Sequence, residues 1–527
     1  MRTIFFLIFT VLSATIYAQQ QNSRLQLLGT RSWIRLGWDD VPGVEAYNIY
    51  WSANDERPQQ PDTVIKAGIG KFYIQNLTPE TSYKVWLEPV AAGVVKNILT
   101  ATVRTQKNWV ADSLELQELQ TNPSSAAVPE GMQLFWQDEF NDALLNRNKW
   151  TTNYFSTFNY MDEASRNEML EDKLPQPAYI LNGKTINLFV NDSLPYRLYN
   201  VKGNQKISSI QTYDWRTNEN LLNNSRGGYF EVKVKRSKTG SPKGLNTAFW
   251  FDSPGPDLKY YLQQGSTVNG VAGIRPPGQV FEIDVFELLN AQFVLHGQVD
   301  KDGKFVHNLA THITEGVQHE NNWVTHGILW TPTAIKHYIN GKLMGEYTDR
   351  HKIYSPDHFM SVFLGSYGSD GGVNMEVDYI RYYQWPLNGG NELPNPGFED
   401  GDSLLPWEGD GTRVQHAGNN NTAGVLLKPG QKIEQYVYLN NDTDYKLSYW
   451  HYGNGRLNVS IDNVEAVTGT LTSLNKQAPA CKNNFTEDSI NFHSGKAFGN
   501  NMKTIRIHIS NEGYSDVILD DITIKKP

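Results

Sequence analysis

Short runs in which apolar and polar residues alternate recur along most of the chain. Residues 32–38 form one such run, and residues 226–235 form a longer one with a clean period of two. Turn-forming residues such as Pro42 and Gly43 separate the runs at the spacing that is typical of β-sandwich proteins. The pattern therefore predicts an all-β chain.

Breaks in this alternation divide the chain into three β-rich blocks. We expect one sandwich domain in each of residues 22–106, 129–386 and 390–527. Residues 107–128 lose the alternation and contain the stretch Asn122-Pro123-Ser124-Ser125-Ala126-Ala127, which is typical of a linker. The length of 527 residues agrees with three or four folding units.

The first residues have the pattern of a secretory signal peptide, which we place at residues 1–18. Arg2 precedes a short apolar run, and Ala18 is followed at once by the polar residues 19–22. A short buried strand or a membrane anchor is the alternative, but the run is too short to span a bilayer. We expect cleavage after Ala18 and a bacterial protein that is secreted or periplasmic, without a membrane span.

Composition and charge exclude several classes of protein. The formal net charge of −9 is spread thinly, which argues against a nucleic-acid partner. Cys481 is the only cysteine, so disulfides within the chain and a zinc ribbon are excluded. Aromatic residues make up 12% of the chain, and such rings either fill sandwich cores or stack on sugars.

Three carboxylates within one predicted strand are the most unusual feature of the sequence. Glu282 and Asp284 share a face of a regular strand, whereas Glu287 points to the other face. A β-bulge at Val285 and Phe286 would return Glu287 to the acidic face. Carboxyls brought to about 5–5.5 Å then suit the nucleophile and the acid/base of a retaining glycosidase, with Asp284 holding or sharing a proton between them.

A calcium-binding loop is the alternative explanation for these acids, because clustered carboxylates commonly bind Ca²⁺. The acids stand among β-branched and aromatic residues, however, and lack the glycine turn of an EF-hand loop. A purely structural role would be costly, since three acids on one strand repel one another.

The acidic motif has companions in the same order along the middle block. They are Trp136-Gln137-Asp138-Glu139-Phe140 before the motif, and after it Trp330-Thr331-Pro332, Tyr338-Ile339-Asn340-Gly341-Lys342 and Val377-Asp378-Tyr379-Ile380-Arg381-Tyr382. Together with the E-I-D-x-x-E motif they resemble glycoside hydrolase family 16. The resemblance implies a concave jelly roll with a substrate cleft, and no cofactor for catalysis. It also implies that Glu282 is the nucleophile, Asp284 its assistant and Glu287 the acid/base.

The resemblance suggests further site residues in the middle block. Trp250 matches a strand that lines the cleft, and either it or Phe249 should face the sugar. His296 should lie on the neighbouring strand and either contact substrate or tune Glu287. Asp378 matches a position that often binds a structural calcium, although a salt bridge at a strand end explains it equally well.

Trp215 and Arg216 stand beside Tyr213 and form an aromatic–basic cluster that could cradle a sugar ring. A buried tryptophan in the core of the sandwich is the simpler explanation.

The two flanking blocks resemble known accessory modules. Residues 77–83, with the pattern L-T-P-E-T-S-Y, are similar to the corner of fibronectin type III domains, in which the tyrosine hydroxyl anchors the turn. The last block resembles jelly-roll carbohydrate-binding modules. Its candidate sugar platforms are Trp407, Tyr449, Trp450 and Tyr452, and strand alternation places either Tyr449 or Trp450 in the core.

The substrate class follows from departures from the family pattern. Leu245-Asn246-Thr247 stands where many β-1,3-glucan hydrolases of the family carry a Trp-Pro pair, and Lys259 and Arg275 lie in a long insertion before the catalytic strand. The small polar residues favour a red-algal β-galactan of the agar, porphyran or carrageenan type, and the two cations could contact sulfate, although Asp252 and Asp257 cancel their charge. A laminarin-type or mixed-linkage β-glucan is the alternative substrate.

A non-catalytic polysaccharide-binding protein is the alternative of another class. It would require a broken set of acids, whereas Glu282, Asp284 and Glu287 are all present. We therefore expect a secreted, endo-acting, retaining glycoside hydrolase that acts as a monomer on a polysaccharide.

Overall fold

The computed structural model describes most of the chain and divides it into two compact units, Met1–Trp109 and Val110–Pro527. The described residues are 25–29, 34–38, 40–68, 71–74, 77–78, 80–92, 94–95, 97–105, 127–152, 179–194, 197–200, 203–214, 219–243, 246–253, 278–288, 292–297, 308–314, 317–368, 370–465, 468–498 and 501–527. The predicted signal peptide and most of the predicted linker lie outside them. None of the described segments is a helix with the length and apolar character needed to cross a membrane.

The first unit is built from two small antiparallel sheets. Its strands are β1 (Gln26–Gly29), β2 (Ile34–Gly37), β3 (Ala46–Ser52), β4 (Thr63–Lys66), β5 (Lys71–Ile74), β6 (Ser82–Ala91), β7 (Val94–Val95) and β8 (Leu99–Arg104). One sheet has the order β1-β2-β5, and the other has the order β4-β3-β6-β7 with β8 also paired to β6. The Tyr83 hydroxyl accepts a hydrogen bond from the N–H of Thr78 at 3.0 Å, which confirms the predicted corner. Trp38 and Trp51 pack in or against the core of this unit.

Seventeen strands of the second unit form the middle block. They are β9 (Gln133–Asp138), β10 (Tyr179–Leu181), β11 (Ile186–Val190), β12 (Arg197–Asn200), β13 (Gly203–Gln211), β14 (Tyr213–Asp214), β15 (Glu219–Asn220), β16 (Gly228–Lys243), β17 (Asn246–Asp252), β18 (Glu282–Glu287), β19 (Gln292–His296), β20 (Asn308–Ile313), β21 (Trp323–Trp330), β22 (Ile335–Ile339), β23 (Lys342–Tyr347), β24 (Ser361–Gly368) and β25 (Asp370–Gln384).

Two large antiparallel sheets make this block a β-sandwich. The first has the order β10-β11-β25-β16-β21-β22-β23, with β9 paired to β25, and the second has the order β12-β13-β24-β17-β18-β19-β20. Rings from both sheets fill the space between them. Phe230 of β16 stacks on Trp330 of β21 and meets Phe251 of β17 edge to face. In the second sheet β18 lies between β17 and β19, so its carboxylates lie inside the sheet and not at an edge.

The last block is a second sandwich with a core of its own. Its strands are β26 (Glu408–Gly409), β27 (Thr412–Val414), β28 (Gly424–Leu427), β29 (Lys432–Leu439), β30 (Asp444–Gly453), β31 (Leu457–Val464), β32 (Leu471–Gln477), β33 (Thr486–His493), β34 (Lys503–Asn511) and β35 (Val517–Lys525). Two five-stranded sheets, β26-β29-β34-β31-β32 and β27-β28-β35-β30-β33, enclose a core that also holds Cys481. The all-β fold built from sandwiches that the sequence predicts is confirmed.

Specific polar contacts join the last two sandwiches. Arg226 donates to the carbonyl oxygen of Tyr438 at 2.9 Å and forms an ion pair with Glu392. The hydroxyl of Tyr438 lies 2.6 Å from that of Ser355. Met502 donates its N–H to the carbonyl of Asp357 at 2.6 Å. The middle and last blocks thus behave as one compact unit, although each has a separate hydrophobic core.

Candidate active site

A β-bulge in β18 brings the three carboxylates to one face of the sheet. Against β17, Asp284 pairs with Trp250, whereas Phe286 pairs with the adjacent Phe249, so Val285 is the extra residue. Against β19 the register also shifts by one residue, between Asp284 and Glu287. The bulge predicted from the spacing of the acids is therefore confirmed.

The residues on either side of the bulge separate cleanly between the two faces of the sheet. Phe286 turns into the sandwich core, where it packs against Phe249 and the ring of His326. Glu287 is returned to the face that holds Asp284, because the extra residue restores the parity of the strand. The motif thus gives the core an aromatic ring and the opposite face a third acid.

A fourth carboxylate, Asp252, belongs to the same cluster. It lies directly across from Glu282 in the ladder between β17 and β18 and is buried. The sequence contains a signal for it, since Asp252 and Trp250 are two residues apart and so share a face, but our sequence analysis did not include it as a site residue.

Burial and mutual repulsion raise the pKa values of the cluster. The pKa of Glu282 lies well above its usual value because the carboxyl is buried and then because Asp284, Asp252 and Glu287 repel its charge. Burial also raises the pKa of Asp284, which has only 3% of its surface exposed. Such a cluster retains protons at pH values at which isolated carboxyls are ionised.

His296 lies on the neighbouring strand β19, as predicted, and pairs with Glu282 in the ladder. Its Nε2 is 3.1 Å from Oδ2 of Asp284, so it contacts the middle acid of the motif. This contact opposes the rise in the pKa of Asp284 that burial causes. His296 therefore favours the ionised form of Asp284, which can then accept a proton from Glu282.

Asn246 holds the acid/base candidate from the adjacent strand β17. Its Nδ2 donates to Oε1 of Glu287 at 2.8 Å, and its Oδ1 accepts the N–H of Leu288 at 2.6 Å. Leu288 has a φ of 58°, which is an unfavourable conformation for a residue with a side chain. One amide thus fixes both the carboxyl of Glu287 and the backbone that follows it.

The pKa of Glu287 is raised to about 7, chiefly by burial and then by the charge of Asp284. The hydrogen bond from Asn246 acts in the opposite direction because it favours the ionised carboxylate. A carboxyl with a pKa near neutrality can donate a proton and later accept one at the same pH. These are the two tasks of the acid/base in a retaining glycosidase.

Trp250 and Phe249 point to opposite faces of β17, as the alternation predicted. Phe249 lies in the core, whereas Trp250 stacks on Phe363 of β24 with ring centroids 4.0 Å apart, beside the acids. The Trp250 Nε1 is 3.4 Å from the hydroxyl of Tyr367, which in turn lies 3.0 Å from the hydroxyl of Ser209. These aromatic and hydroxyl groups extend the acidic face across β24 and β13.

Of the remaining predicted residues of the middle block, four lie outside the described residues and one lies on the other sheet. Trp215 and Arg216 lie outside the described residues, as do Lys259 and Arg275. Asp378 lies on β25 of the other sheet and forms an ion pair with Lys233 at 2.7 Å. Among the described residues no group of three or more His, Cys, Asp or Glu side chains could hold a metal ion, and a calcium ligated by Asp378 stays a prediction.

The candidate sugar platforms of the last sandwich divide between its core and its surface. Trp407 and Tyr449 are buried in the core, so they are not platforms. Trp450 is half-buried and Tyr452 is 39% exposed, and both face outward from β30. The ring of Tyr452 lies 5.4 Å from that of Phe485, which adds a second aromatic group to this surface.

Comparisons with known proteins give no family model and no curated protein that matches the chain. Several solved structures resemble it at low identity. An endo-β-galactosidase from Clostridium perfringens that releases GlcNAcα1-4Gal is 17% identical, covers 59% of this chain and 73% of its own, and has a TM-score of 0.37. The laminarinase catalytic domain from Thermotoga maritima is 16% identical, covers 49% of this chain and 99% of its own, and has a TM-score of 0.34.

An endo-β-1,3-glucanase from Pyrococcus furiosus is 21% identical, covers 48% of this chain and 94% of its own, and has a TM-score of 0.33. At these values the likeness assigns no role to any residue described above.

Proposed function

We propose that the chain is a secreted, retaining, endo-acting β-glycoside hydrolase with Glu282, Asp284 and Glu287 as its catalytic residues. The observation that carries the proposal is the bulge at Val285, because it places a carboxyl with a pKa of about 7 on the face that holds two other buried acids. A purely structural strand gains nothing from that arrangement, since the acids repel one another.

Two displacements at the anomeric carbon complete the reaction. In the first, the ionised Glu282 forms a covalent bond to that carbon while Glu287 gives its proton to the departing glycosidic oxygen. In the second, Glu287 takes a proton from water, and the resulting hydroxide oxygen displaces Glu282 with a second inversion. Asp284 accepts the proton that Glu282 must lose before it attacks, and no step needs a cofactor.

A β-linked polysaccharide is the proposed substrate, with a red-algal β-galactan favoured and a 1,3-β-glucan or mixed-linkage glucan as the alternative. Asn246 and Thr247, which replace the Trp-Pro pair of many glucanases, have contacts that serve Glu287 and the core. The structure therefore explains these residues without reference to the substrate.

The test is reducing-end release from a panel of agarose, porphyran, κ-carrageenan, laminarin, lichenan and poly-N-acetyllactosamine. We expect release from one class of glycan, a product mixture of intermediate sizes, and no release by Glu282→Gln. Proton NMR of the first product formed should show the β-anomer. Binding to a glycan of the panel without any release would instead indicate the non-catalytic binding protein.

A further inference from the structure

An arginine occupies a core position of β16, where the alternation calls for an apolar residue. Val232 and Val234 face the interior of the sandwich, and Arg236 continues the same side of the strand with 1% of its surface exposed. Among the described residues no carboxylate pairs with it. Burying a cation without a counter-ion costs stability, so the position needs an explanation other than folding.

The guanidinium of Arg236 reaches across the sandwich to the bulged end of β18. Its Nη1 donates to the carbonyl oxygen of Leu288 and, at 3.2 Å, to the hydroxyl of Thr247. Its carbon Cζ lies 4.3 Å from the centroid of the Phe286 ring. All three contacts are with residues of the bulge or of the strand beside it.

Leu288 is consequently held at both of its backbone polar groups. Asn246 accepts its N–H from the face that carries the acids, and Arg236 donates to its carbonyl from the core. The strained φ of this residue persists only where the surroundings enforce it. Because Leu288 follows Glu287 directly, the orientation of the Glu287 carboxyl depends on the same two contacts.

We propose that Arg236 is a positioning residue that fixes the acid/base Glu287 by holding the backbone of Leu288 in register with Asn246. The inference rests on the proposed function for its meaning in catalysis. The geometry it describes, however, can be measured without any substrate. Arg236 reaches the Leu288 carbonyl, Thr247 and the face of Phe286 from within the core, so it acts through the chain and not on the glycan.

Two variants and a matched control separate positioning from folding. Arg236→Met removes the hydrogen-bond donors but keeps an unbranched core side chain. Arg236→Lys keeps a charged hydrogen-bond donor, but as an ammonium group on a flexible side chain in place of the planar guanidinium. Lys235→Met is the control, because Lys235 is the next residue of β16 and points outward to an ion pair with Glu376 at 2.8 Å. Urea unfolding of all three reports whether each variant is folded.

The first measurement is a ¹³C NMR titration of protein labelled at the carboxyls of glutamate, with the Glu287 signal identified by its loss in Glu287→Gln. Since Asn246 favours the ionised carboxylate, misplacing the loop should raise the titration midpoint of Glu287 in Arg236→Met. We expect Arg236→Lys to lie between this variant and the wild type, and Lys235→Met to match the wild type. An unchanged midpoint in a folded Arg236→Met protein overturns the proposal, whether or not the chain is an enzyme.

The second measurement compares 2,4-dinitrophenyl and 4-methoxyphenyl β-glycosides of laminaribiose and of lactose. A poor leaving group needs the acid, whereas dinitrophenolate leaves without protonation. Arg236→Met should lose about a hundredfold in kcat/KM on the methoxyphenyl substrate and less than tenfold on the dinitrophenyl one. Equal losses on both would mean a general structural defect and contradict the positioning role. Wild-type protein that cleaves neither the four glycosides nor any panel glycan would refute the proposed function, and the NMR titration would still decide the role of Arg236.

Discussion

Glu282 and Glu287 differ at the residue scale in the groups that surround them. Glu282 lies between two other acids, Asp284 on its own strand and Asp252 across the ladder, whereas Glu287 has an amide, Asn246, as its nearest partner. A carboxyl surrounded by carboxyls ionises only when a neighbour takes its proton, whereas an amide donor favours the ionised form of the carboxyl beside it. This asymmetry supports the two proposed chemical roles and leads to two tests.

Replacing the nucleophile should abolish turnover in a way that a small anion repairs. Glu282→Ala leaves space at the anomeric carbon, so azide can attack there and give the α-glycosyl azide from a β-linked dinitrophenyl substrate. We expect a loss of at least 10³-fold, or about 4 kcal/mol of barrier, and partial rescue by azide. The anomer is read by NMR. A β-azide, or an Ala variant within tenfold of the wild type, would refute the assignment of Glu282.

The pH dependence should report the acid/base. Glu287 must be protonated when the glycosidic bond breaks, so kcat/KM on an oligosaccharide should fall as the pH rises through about 7. In Asn246→Leu the carboxylate loses a stabilising hydrogen bond, its pKa rises, and the alkaline limb should move to higher pH. Rates measured between pH 5 and pH 9 check this, and an alkaline limb that moves to lower pH would contradict it.

The sequence predicted the three acids but not the groups that hold them. The spacing of Glu282, Asp284 and Glu287 is visible along one strand, and the parity of a strand is enough to demand a bulge. Asn246 and Arg236 lie on other strands, and their contacts depend on which strand pairs with which and on what crosses the sandwich. Those pairings are non-local, so no pattern within a short window contains them.

At the scale of the element, Val285 is the extra residue of β18 in its ladder with β17. Phe286 keeps its partner Phe249 and its place in the core, so its deletion would remove packing as well as the bulge. Deletion of Val285 would leave Asp284, Phe286 and Glu287 alternating in a regular strand. The structure thus corrects the choice made from the sequence alone, which is to delete Phe286, because Val285 is the extra residue.

We expect the Val285 deletion to fold and to lose activity. Its melting temperature should fall by less than half as much as that of an Ile283 deletion, which turns the following residues to the wrong faces. Turnover should drop about a hundredfold, because Glu287 moves relative to Asn246 by an amount comparable to one ångström. Differential scanning calorimetry and reducing-end assays measure both effects. Equal destabilisation by the two deletions would contradict the assignment of Val285 as the extra residue.

At the scale of the whole molecule, the interior of the middle sandwich contains buried histidines that stay neutral. Burial, together with neighbouring positive charge, lowers the pKa of His319 to about 4, of His337 to about 3, and of His326 well below its usual value. In the unfolded chain these side chains titrate near 6.5. The unfolded state therefore binds more protons below that pH, and stability should fall as the pH decreases through and below about 6.5.

His337 gives this effect a measurable size. It stacks on Phe293 and is fully buried, and its shift corresponds to about 2 kcal/mol of stability lost between pH 8 and pH 5. His337→Phe removes the titration and keeps an aromatic ring. The difference in unfolding free energy between pH 8 and pH 5 should therefore shrink by about that amount in the variant. Urea titrations at both pH values test it, and an unchanged difference would mean that His337 is accessible to protons in the folded state.

The junction between the last two sandwiches should make them unfold together. Arg226 binds both Glu392 and the carbonyl of Tyr438, and hydrogen bonds to charged groups each contribute about 1.5–3 kcal/mol. We expect a single calorimetric transition for residues 127–527 and a decrease of roughly 2–4 °C in Arg226→Met. Two separate transitions in the wild type would show instead that the separate cores act independently.

A chain of sandwiches was predictable from alternation, but this junction was not. The sequence treats the last two blocks as separable, because each has its own set of apolar positions. Ser355, Asp357 and Arg226 lie between strands of the middle block and contact the last block through a hydroxyl, a backbone carbonyl and a guanidinium. Contacts of this kind produce no periodic pattern of residues in a sequence.

The position of Cys481 has a practical consequence for watching this protein work. The only sulfhydryl of the sequence is buried in the core of the last sandwich, and burial raises the pKa of its thiol to about 11. Thiolate is the form that reacts with maleimides, so the native protein should react very slowly with maleimide dyes at neutral pH. A Tyr452→Cys variant would therefore take up a fluorophore at that position alone, without replacement of Cys481, and its emission would test whether a glycan binds at that surface.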